Sequence, residues 1–379
     1  MSSSFIVDVT PVDIYKSYGT FSDKVDETLA QRAVFYQRIV QAQPNCARAL
    51  SFLGYLSAQL GCLQESLSAY RQILCIQEDS PRDWVNYAIL LERSGYYEDA
   101  VESYSQALAV SPLYFKAMYG KSKNLHRLSR YREALASYDK ALEVRDDAYE
   151  VWYGRGKALA KLNQLEEAID SFEQSLQLNP QSAKTWASLG QALMHKREDE
   201  AAIRKFDKAI KLSPEKALFW THKGFLLKRL GRYDEALTCF DKAIELTPTA
   251  AKVWHYRGLT LMNLGQYRQA HDSFETGLKF QAYDHKSWLS LGWALEKLGN
   301  YEKAIEAYNK SLTIEPDQAF AFYRQARCYA LLQNQPSALE HLRRAAALHP
   351  ESYYQRSVGD PILHGVQAKA LISDALSSR

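Results

Sequence analysis

The chain has 379 residues, of which 47 are Lys or Arg and 44 are Asp or Glu, so its formal net charge is +3. This near-balance gives no case for a nucleic-acid-binding protein, which usually carries a large basic excess. The fractions of hydrophobic residues (46%) and charged residues (24%) are ordinary for a folded chain and exclude intrinsic disorder, and no apolar run is long enough to predict a transmembrane helix.

Residues 1–46 form an N-terminal extension. Its start lacks the basic segment and the long apolar core of a secretory signal, so we expect none. Residues 28–42 predict a helix, with Tyr36 near its middle and Pro44 just after its end. In the 34-residue frame described next, these two residues stand where the repeats carry an aromatic residue and a proline. We therefore interpret the segment as the second half of a degenerate repeat that caps the array.

Residues 47–352 consist of nine 34-residue repeats without an insertion, starting at residues 47, 81, 115, 149, 183, 217, 251, 285 and 319. Position 4 is Trp in six repeats, position 8 is Gly in six and position 20 is Ala in eight. Position 24 is Tyr or Phe in eight repeats, and position 32 is Pro in six. A fixed period of this length indicates a stacked array of identical supersecondary elements.

Each repeat predicts two helices separated by a turn, often with a glycine at the break, such as Gly95 or Gly231. We expect the large residues at positions 4 and 24 to pack into spaces left by the small residues at positions 8 and 20. Proline after the second helix ends it. One helix pair cannot bury its apolar face alone, whereas stacked pairs can, so the sequence predicts an all-α solenoid.

Residues 353–379 are predicted to form a C-terminal capping helix and tail. Asp360 and Pro361 make a good helix start, because a carboxylate can cap the first turn and proline fits its first position. The apolar stripe of this predicted helix is Ile362, Leu363, Val366, Ala370 and Leu371. Such a helix would cover the last repeat, as solenoids require.

The pattern resembles the tetratricopeptide repeat (TPR) family, a helix–turn–helix repeat with the same W…LG…Y…A…F…A…P spacing. The resemblance covers residues 47–352 and implies a right-handed superhelix of antiparallel helix pairs that binds other proteins. The flanking segments of 46 and 27 residues are too short for a catalytic domain. No phosphate loop, GxSxG elbow, HExxH or dinucleotide fingerprint is present, so we predict no enzyme, no cofactor and no small-molecule substrate.

The five cysteines are odd in number, scattered and without a CxxC pair: Cys46, Cys62, Cys75, Cys239 and Cys328. We therefore expect free thiols and a cytoplasmic protein rather than a disulfide framework or a zinc site. His195, His222 and His255 fall at groove positions of three successive repeats, where imidazoles could bind a metal. They form no i, i+4 pair, so a metal site is the lesser alternative.

In the TPR family the first helix of each repeat lines a concave groove, which implies that positions 2, 5, 6, 9, 12 and 13 face a ligand. Of these 54 residues sixteen are basic and three acidic, a net charge of +13 that leaves −10 for the rest. Five of the basic residues stand at position 13, where Lys is common in the family. Position 2 is basic in six repeats, although a cation near a helix N-terminus costs about 0.3–1 kcal/mol. The bias predicts an acidic partner protein or peptide, and a merely solvated surface is the alternative.

Repeats 3 and 4 carry the best-defined candidate patch, in which basic and aromatic residues alternate: Lys116, Tyr119, Lys123, His126, Arg127, Tyr153, Lys157 and Lys161. Arg93 and Arg229 add groove cations in repeats 2 and 6. Trp293 stands apart from the six position-4 tryptophans, at position 9 of repeat 8. With Tyr323 and Arg327 of repeat 9 it could anchor a partner, since Trp, Tyr and Arg dominate interface energetics. The alternative is that Trp293 packs against repeat 9 or the capping helix.

Three further hypotheses about function remain open. The unbroken array is similar to bacterial TPR arrays that assist the assembly of membrane and photosynthetic complexes, so an assembly factor is an alternative. A scaffold acting through its convex face or by self-association is another. RNA could use the same cations and aromatic rings through stacking, but the balanced overall charge disfavours it. The sequence leaves the oligomeric state and the identity of the partner open.

Overall fold

A computed structural model describes residues 23–363 of the chain. Within that range the chain is all-α, with twenty helices joined by short turns. The helices are α1 (Asp23–Ala42), α2 (Ala47–Gln59), α3 (Leu63–Ile76), α4 (Pro81–Arg93), α5 (Tyr97–Val110), α6 (Phe115–Arg127), α7 (Tyr131–Val144), α8 (Tyr149–Lys161), α9 (Leu165–Leu178), α10 (Ala183–His195), α11 (Asp199–Leu212), α12 (Ala217–Arg229), α13 (Tyr233–Leu246), α14 (Ala251–Asn263), α15 (Tyr267–Phe280), α16 (His285–Lys297), α17 (Tyr301–Ile314), α18 (Ala319–Leu331), α19 (Gln335–Leu348) and α20 (Pro350–Val358). The first helix of every repeat begins at the first residue of the predicted frame, so the all-α solenoid of helix pairs is confirmed.

The chain divides into two compact units, Met1–Ala192 (unit 1) and Leu193–Arg379 (unit 2). In unit 1 the first helices α4, α6 and α8 contact one another in sequence, and in unit 2 the same holds for α12, α14, α16 and α18. We call the surface formed by these first helices the inner face of each unit. The second helices form the opposite, outer side.

Every repeat turns through a left-handed residue at position 15. Gly95 has φ of 84° there, and Arg197 has φ of 66°. Glycine adopts this conformation without steric cost, whereas a side chain crowds the backbone. The turn therefore belongs to the repeat geometry itself and not only to the repeats that carry glycine.

The large residue at position 24, aromatic in eight of the nine repeats, is buried in the core of each repeat, as predicted. Phe274 is completely buried, and a Cβ added to Gly258 at position 8 would lie 2.5 Å from its ring. Without that Cβ, the first helix can lie directly against the ring. Glycine at position 8 thus has a packing role, in agreement with the sequence analysis.

The tryptophan at position 4 differs from the buried role predicted for it. Trp220 is only half-buried, and its indole N–H donates to the carbonyl of Pro214 at 2.9 Å. All six position-4 tryptophans make this bond, at 2.7–2.9 Å, to the carbonyl at position 32 of the preceding repeat. The indole therefore ties two successive repeats together at the surface, because its ring covers their junction while its N–H satisfies a turn carbonyl.

A second recurring contact joins position 7 of one repeat to position 25 of the repeat before it. Arg155 Nε lies 2.7 Å from an Asp139 carboxylate oxygen, and Lys223 Nζ lies 2.6 Å from the equivalent Asp207. The same positions are joined in three further pairs, Arg71 with Tyr87, Arg257 with Asp241, and Gln325 with Asn309. These contacts close the outer side between successive second helices.

The two ends of the described chain extend the packing of the repeats. Tyr36 of α1 stacks on Phe52 of the first repeat, with ring centroids 5.0 Å apart. At the other end α20 follows α19, and Pro361–Leu363 forms a 3-10 turn that Asp360 caps by accepting the amide of Ile362 at 3.1 Å. The sequence predicted an α-helix from Asp360 instead. Its stripe residues Val366, Ala370 and Leu371 lie outside the described residues.

Within residues 23–363, none of the helices has the length and hydropathy of a membrane-spanning segment. All five cysteines are free thiols, of which Cys239 and Cys328 are buried and Cys62 and Cys75 are exposed.

Candidate protein-binding surface

A buried glutamate organises the inner face of unit 1. Glu92, at position 12 of repeat 2, is 7% exposed, and its carboxylate lies 2.8 Å from Lys123 Nζ and 3.0 Å from Arg127 Nη1. The Asn124 amide also donates to it, at 3.1 Å. Two cations of the predicted patch are thus tied to a carboxylate of the preceding repeat, which lowers the free positive charge below the formal count.

The next helix carries cations that crowd one another. Lys157 on α8 is half-buried, and burial lowers the pKa of its ammonium group. The positive charges of Arg127, Lys161 and Lys184 lower that pKa further. We call these four residues the basic cluster. A site where burial and like charges both disfavour ammonium groups is one where a bound anion is most favourable.

His126 is the neutral member of this surface. Burial lowers the pKa of its imidazole, and the charges of Lys157 and Lys161 act in the same direction. The ring makes an edge contact with Tyr131, with centroids 5.2 Å apart. At neutral pH His126 therefore adds an aromatic surface beside the basic cluster rather than another charge.

Tyrosine side chains border the basic cluster. Tyr153 packs on Phe172, and Lys157 Nζ lies 5.5 Å from the Tyr153 ring centre, within cation–π distance. Tyr119 stacks on Phe115 with centroids 6.5 Å apart. The rings hold their positions through these contacts. They give the surface apolar area next to its charges.

Two more predicted cations lie at the edges of the patch. Lys116 is exposed at the start of α6, while Arg93 is half-buried and its guanidinium donates to the carbonyl of Ala58 at 3.5 Å. Arg93 thus also holds the end of the first helix of repeat 1.

Unit 2 also has a buried glutamate on its inner face, but the cations paired with it are covered by other side chains. Glu296, again at position 12, is 7% exposed and lies 3.3 Å from Arg324 Nη1 and 3.0 Å from Arg327 Nε. The Arg324 guanidinium carbon lies 5.0 Å from the Trp293 ring centre and 4.9 Å from that of Phe320. Trp293 therefore packs on repeat 9, which was the alternative for this residue.

The other two predicted anchors of unit 2 take part in internal packing. Tyr323 is 7% exposed, and its hydroxyl donates to Asp360 at 2.6 Å. Arg327 pairs with Asp360 as well as with Glu296. Both side chains hold the 3-10 turn against α18. The expectation that they contact a partner is corrected by this burial, which the sequence did not reveal because Asp360 lies beyond the repeats.

The charge of Arg229 is likewise neutralised inside unit 2. Its guanidinium forms a two-point pair with the carboxylate of Asp199 and donates to the Met194 carbonyl at 3.3 Å. We therefore remove Arg229 from the candidate surface. The group that pairs with it stands at position 17, outside the six positions sampled for the groove.

His255 and His222, two of the groove histidines, are neutral at physiological pH. Burial lowers the pKa of His255 to about 4, against the opposing effect of Asp284, and Lys228 and Lys286 lower it further. Burial also lowers the pKa of His222. Within residues 23–363 no three or more His, Cys, Asp or Glu side chains converge in a way that could hold a metal ion.

Family models identify the repeat. Models described as tetratricopeptide repeat match residues 84–112, 123–183, 157–217, 285–318 and 320–352, and one described as TPR repeat matches residues 226–265. The chain belongs to the tetratricopeptide repeat family. Its TPR repeats support a role as a protein-interaction scaffold. The TPR fold is typically non-catalytic. Comparison with curated protein sequences gives no match.

Solved TPR structures are similar to the chain in fold. The C-terminal part of a TPR repeat-containing protein from Cytophaga hutchinsonii is 18% identical, with a TM-score of 0.54, over 62% of this chain and 98% of that one. A tetratricopeptide repeat protein from Parabacteroides merdae is 18% identical, with a TM-score of 0.50, over 65% and 97%. YrrB, described as a TPR protein with an unusual peptide-binding site, is 23% identical, with a TM-score of 0.43, over 48% and 94%.

One signal for the buried glutamates was present in the TPR sequence but was missed. Glu92 and Lys123 are 31 residues apart, and so are Glu296 and Arg327. This spacing joins position 12 of one repeat to position 9 of the next, both on the inner face. A search for opposite charges at that spacing would have found both pairs.

Proposed function

We propose that this TPR protein is a non-catalytic scaffold that binds an acidic segment of a partner protein on the inner face of unit 1. The observation that carries the proposal is the basic cluster, in which Lys157 is half-buried among Arg127, Lys161 and Lys184. An acidic side chain bound there would offset the repulsion among the four cations. The same attraction would speed the encounter with an acidic partner.

Glu92 shows the type of contact that such a partner would make. Its carboxylate already takes up Lys123 and Arg127 from the neighbouring repeat, so cations of this face can hold a carboxylate in hydrogen-bonding geometry. Lys161 lies one repeat further along, at the position equivalent to Arg127. We propose that partner carboxylates continue this arrangement along α8, with Tyr153 contacting their apolar neighbours.

The free thiols fit a reducing compartment, so we propose that the interaction takes place in the cytoplasm. Cys62 and Cys75 are exposed and not joined in a disulfide, and thiols of this kind persist in reducing compartments.

Binding of a labelled peptide of about ten glutamates tests the proposal, measured by fluorescence anisotropy at low ionic strength, where exposed charges are least screened. The double variant Lys157→Glu with Lys161→Glu should weaken binding at least about tenfold, which corresponds to about 1.4 kcal/mol. The matched control is Arg38→Glu with Arg132→Glu, which changes the net charge equally on exposed residues away from the inner face. Its affinity should stay within about threefold of the wild type, since its sites are distant.

Equal weakening by the two double variants would show that only the overall charge matters and would overturn the inner-face proposal. A labelled single-stranded RNA of similar length provides the second comparison. If the wild type binds this RNA more tightly than the glutamate peptide, the partner class is wrong.

A further inference from the structure

The outer side of unit 1 contains a cleft of about 500 Å3 between α5 and α7, above α6. Its lining includes Leu108, Pro112, Met118, Lys121, Leu125 and Lys140. Leu125 is fully buried and Met118 nearly so, which gives the cleft an apolar floor. The two lysines stand at its rim. The cleft lies on the side opposite to the basic cluster.

A recurring contact is missing at this cleft. Positions 7 and 25, joined by Arg155 and Asp139 at the next junction, are here Lys121 and Ser105. The Ser105 hydroxyl donates instead to the Val101 carbonyl of its own helix, at 2.8 Å. Position 25 therefore offers Lys121 no carboxylate at this junction.

A tryptophan is missing at the same place. Position 4 of repeat 3 is Met118, which cannot donate the bond that six other repeats make to a position-32 carbonyl. The equivalent carbonyl belongs to Pro112, which lines the cleft and receives no hydrogen bond from the described part of the chain. Repeat 3 thus keeps the acceptor and the apolar floor of the tryptophan position but lacks the indole.

The corresponding cleft of unit 2, of about 440 Å3, shows how this position looks when it carries a tryptophan. There Trp288 lines the cleft and donates to the Ala282 carbonyl at 2.7 Å. Lys310 lies over its ring, with Nζ 4.3 Å from the ring centre. Lys140 of unit 1 stands at the same repeat position as Lys310, so the lysine that covers the indole is present in both clefts while the indole is present in only one.

We propose that the cleft of unit 1 binds the tryptophan side chain of an acidic segment in a partner protein. The indole N–H would donate to the Pro112 carbonyl, the ring would lie on Met118 and Leu125, and Lys140 would cover it as Lys310 covers Trp288. Lys121 and Lys140 favour carboxylates on either side of that tryptophan. Glu133, the acidic group of the lining, is already paired with Arg130 at 2.6 Å.

Two labelled peptides test this inference, Glu-Glu-Trp-Glu-Glu and the same peptide with Ala in place of Trp. The tryptophan peptide should bind at least about tenfold more tightly, since a buried aromatic anchor commonly contributes more than 1 kcal/mol. Met118→Trp should abolish this difference, because its own indole would take the Pro112 carbonyl and the place beside Lys140. Met118→Leu, which leaves the cleft open, should preserve it.

The charge of the rim gives an independent readout that does not depend on how well Met118→Trp folds. Lys121→Glu combined with Lys140→Glu should reverse the preference, so that Lys-Lys-Trp-Lys-Lys binds more tightly than Glu-Glu-Trp-Glu-Glu. Lys157→Glu with Lys161→Glu should leave the advantage of Trp over Ala unchanged, which separates this site from the inner face. Equal affinities of the Trp and Ala peptides for the wild type, or an advantage of Trp that survives in Met118→Trp, would overturn the inference.

Discussion

Glu92 in unit 1 and Glu296 in unit 2 occupy the same position of their repeats and take up cations from the following repeat, yet their surroundings differ. The two cations on Glu92 have side chains that are 34% and 44% exposed. Those on Glu296 are 14% and 19% exposed. The pairing is the same, but in unit 1 the cations still face solvent and in unit 2 they are covered.

Neighbours cover the pair of unit 2 more fully than that of unit 1, where the Tyr97 ring centre lies 5.2 Å from the Arg127 guanidinium carbon and leaves that side chain 44% exposed. Arg324 lies between the rings of Trp293 and Phe320, and Asp360 brings a second carboxylate to Arg327. One inter-repeat contact can therefore serve either a binding surface or internal packing. Its role depends on whether aromatic rings and a terminal segment cover the paired cations.

The largest difference is expected when each glutamate is neutralised. Glu296→Gln should lower the free energy of unfolding by about 3–5 kcal/mol, because it leaves two covered guanidinium groups without their shared carboxylate. Urea unfolding followed by circular dichroism measures this loss. The control Glu306→Gln, at an exposed position of α17, should change stability by less than about 0.5 kcal/mol. A loss for Glu296→Gln no larger than the control would contradict the view that this pair is structural.

Acid should weaken unit 2 through His255. Its pKa in the folded protein is about 4, below the ordinary value near 6.5, because the imidazole is buried. A lowered pKa means that the unfolded chain binds the proton more readily. The stabilisation is therefore complete above pH 6.5 and is lost as the pH falls towards 4. The loss should reach about 2 kcal/mol at pH 5 and about 3 kcal/mol at pH 4.

His255→Gln provides the measurement that isolates this effect. The His255 ring contacts the hydroxyl of Ser287, which donates to Asp284, and Lys228 and Lys286 are the cations that affect its charge. Urea unfolding between pH 7 and pH 4.5 should show a flatter pH dependence in the variant than in the wild type. Parallel curves would mean that other groups cause the acid sensitivity.

The sequence predicted the fold from its period but could not predict which charges are free. The frame placed the start of each first helix correctly, and the buried ring at position 24 followed from the small residue at position 8, as Phe274 and Gly258 show. A formal charge count, however, carries no distances. Arg229 counted as a groove cation although Asp199 neutralises it.

The remaining differences between the sequence predictions and the structure have the same physical origin, since they depend on contacts outside the repeat signature. Tyr323 looked like an exposed anchor because the turn that buries it lies after the last repeat. Trp220 was predicted to be buried because the repeat pattern shows that position 4 is large. The pattern does not show the turn carbonyl to which the indole N–H donates at the surface. Periodicity predicts which helices are neighbours. It does not predict which side chains reach a partner across a junction or beyond the array.

Glu92→Gln should lower stability less than Glu296→Gln, and it should strengthen peptide binding. Its cations are partly exposed and can return to water, so we expect a loss of about 0.5–1.5 kcal/mol in urea unfolding, well below that of Glu296→Gln. The change also removes a carboxylate that competes with a ligand for Lys123 and Arg127. The labelled glutamate peptide should therefore bind about two- to fivefold more tightly, since one exposed ion pair is worth under about 1 kcal/mol. Weaker binding would mean that Glu92 is needed to hold these two cations in place, and the inner face of unit 1 would then resemble the packed pair of unit 2 more than a binding surface.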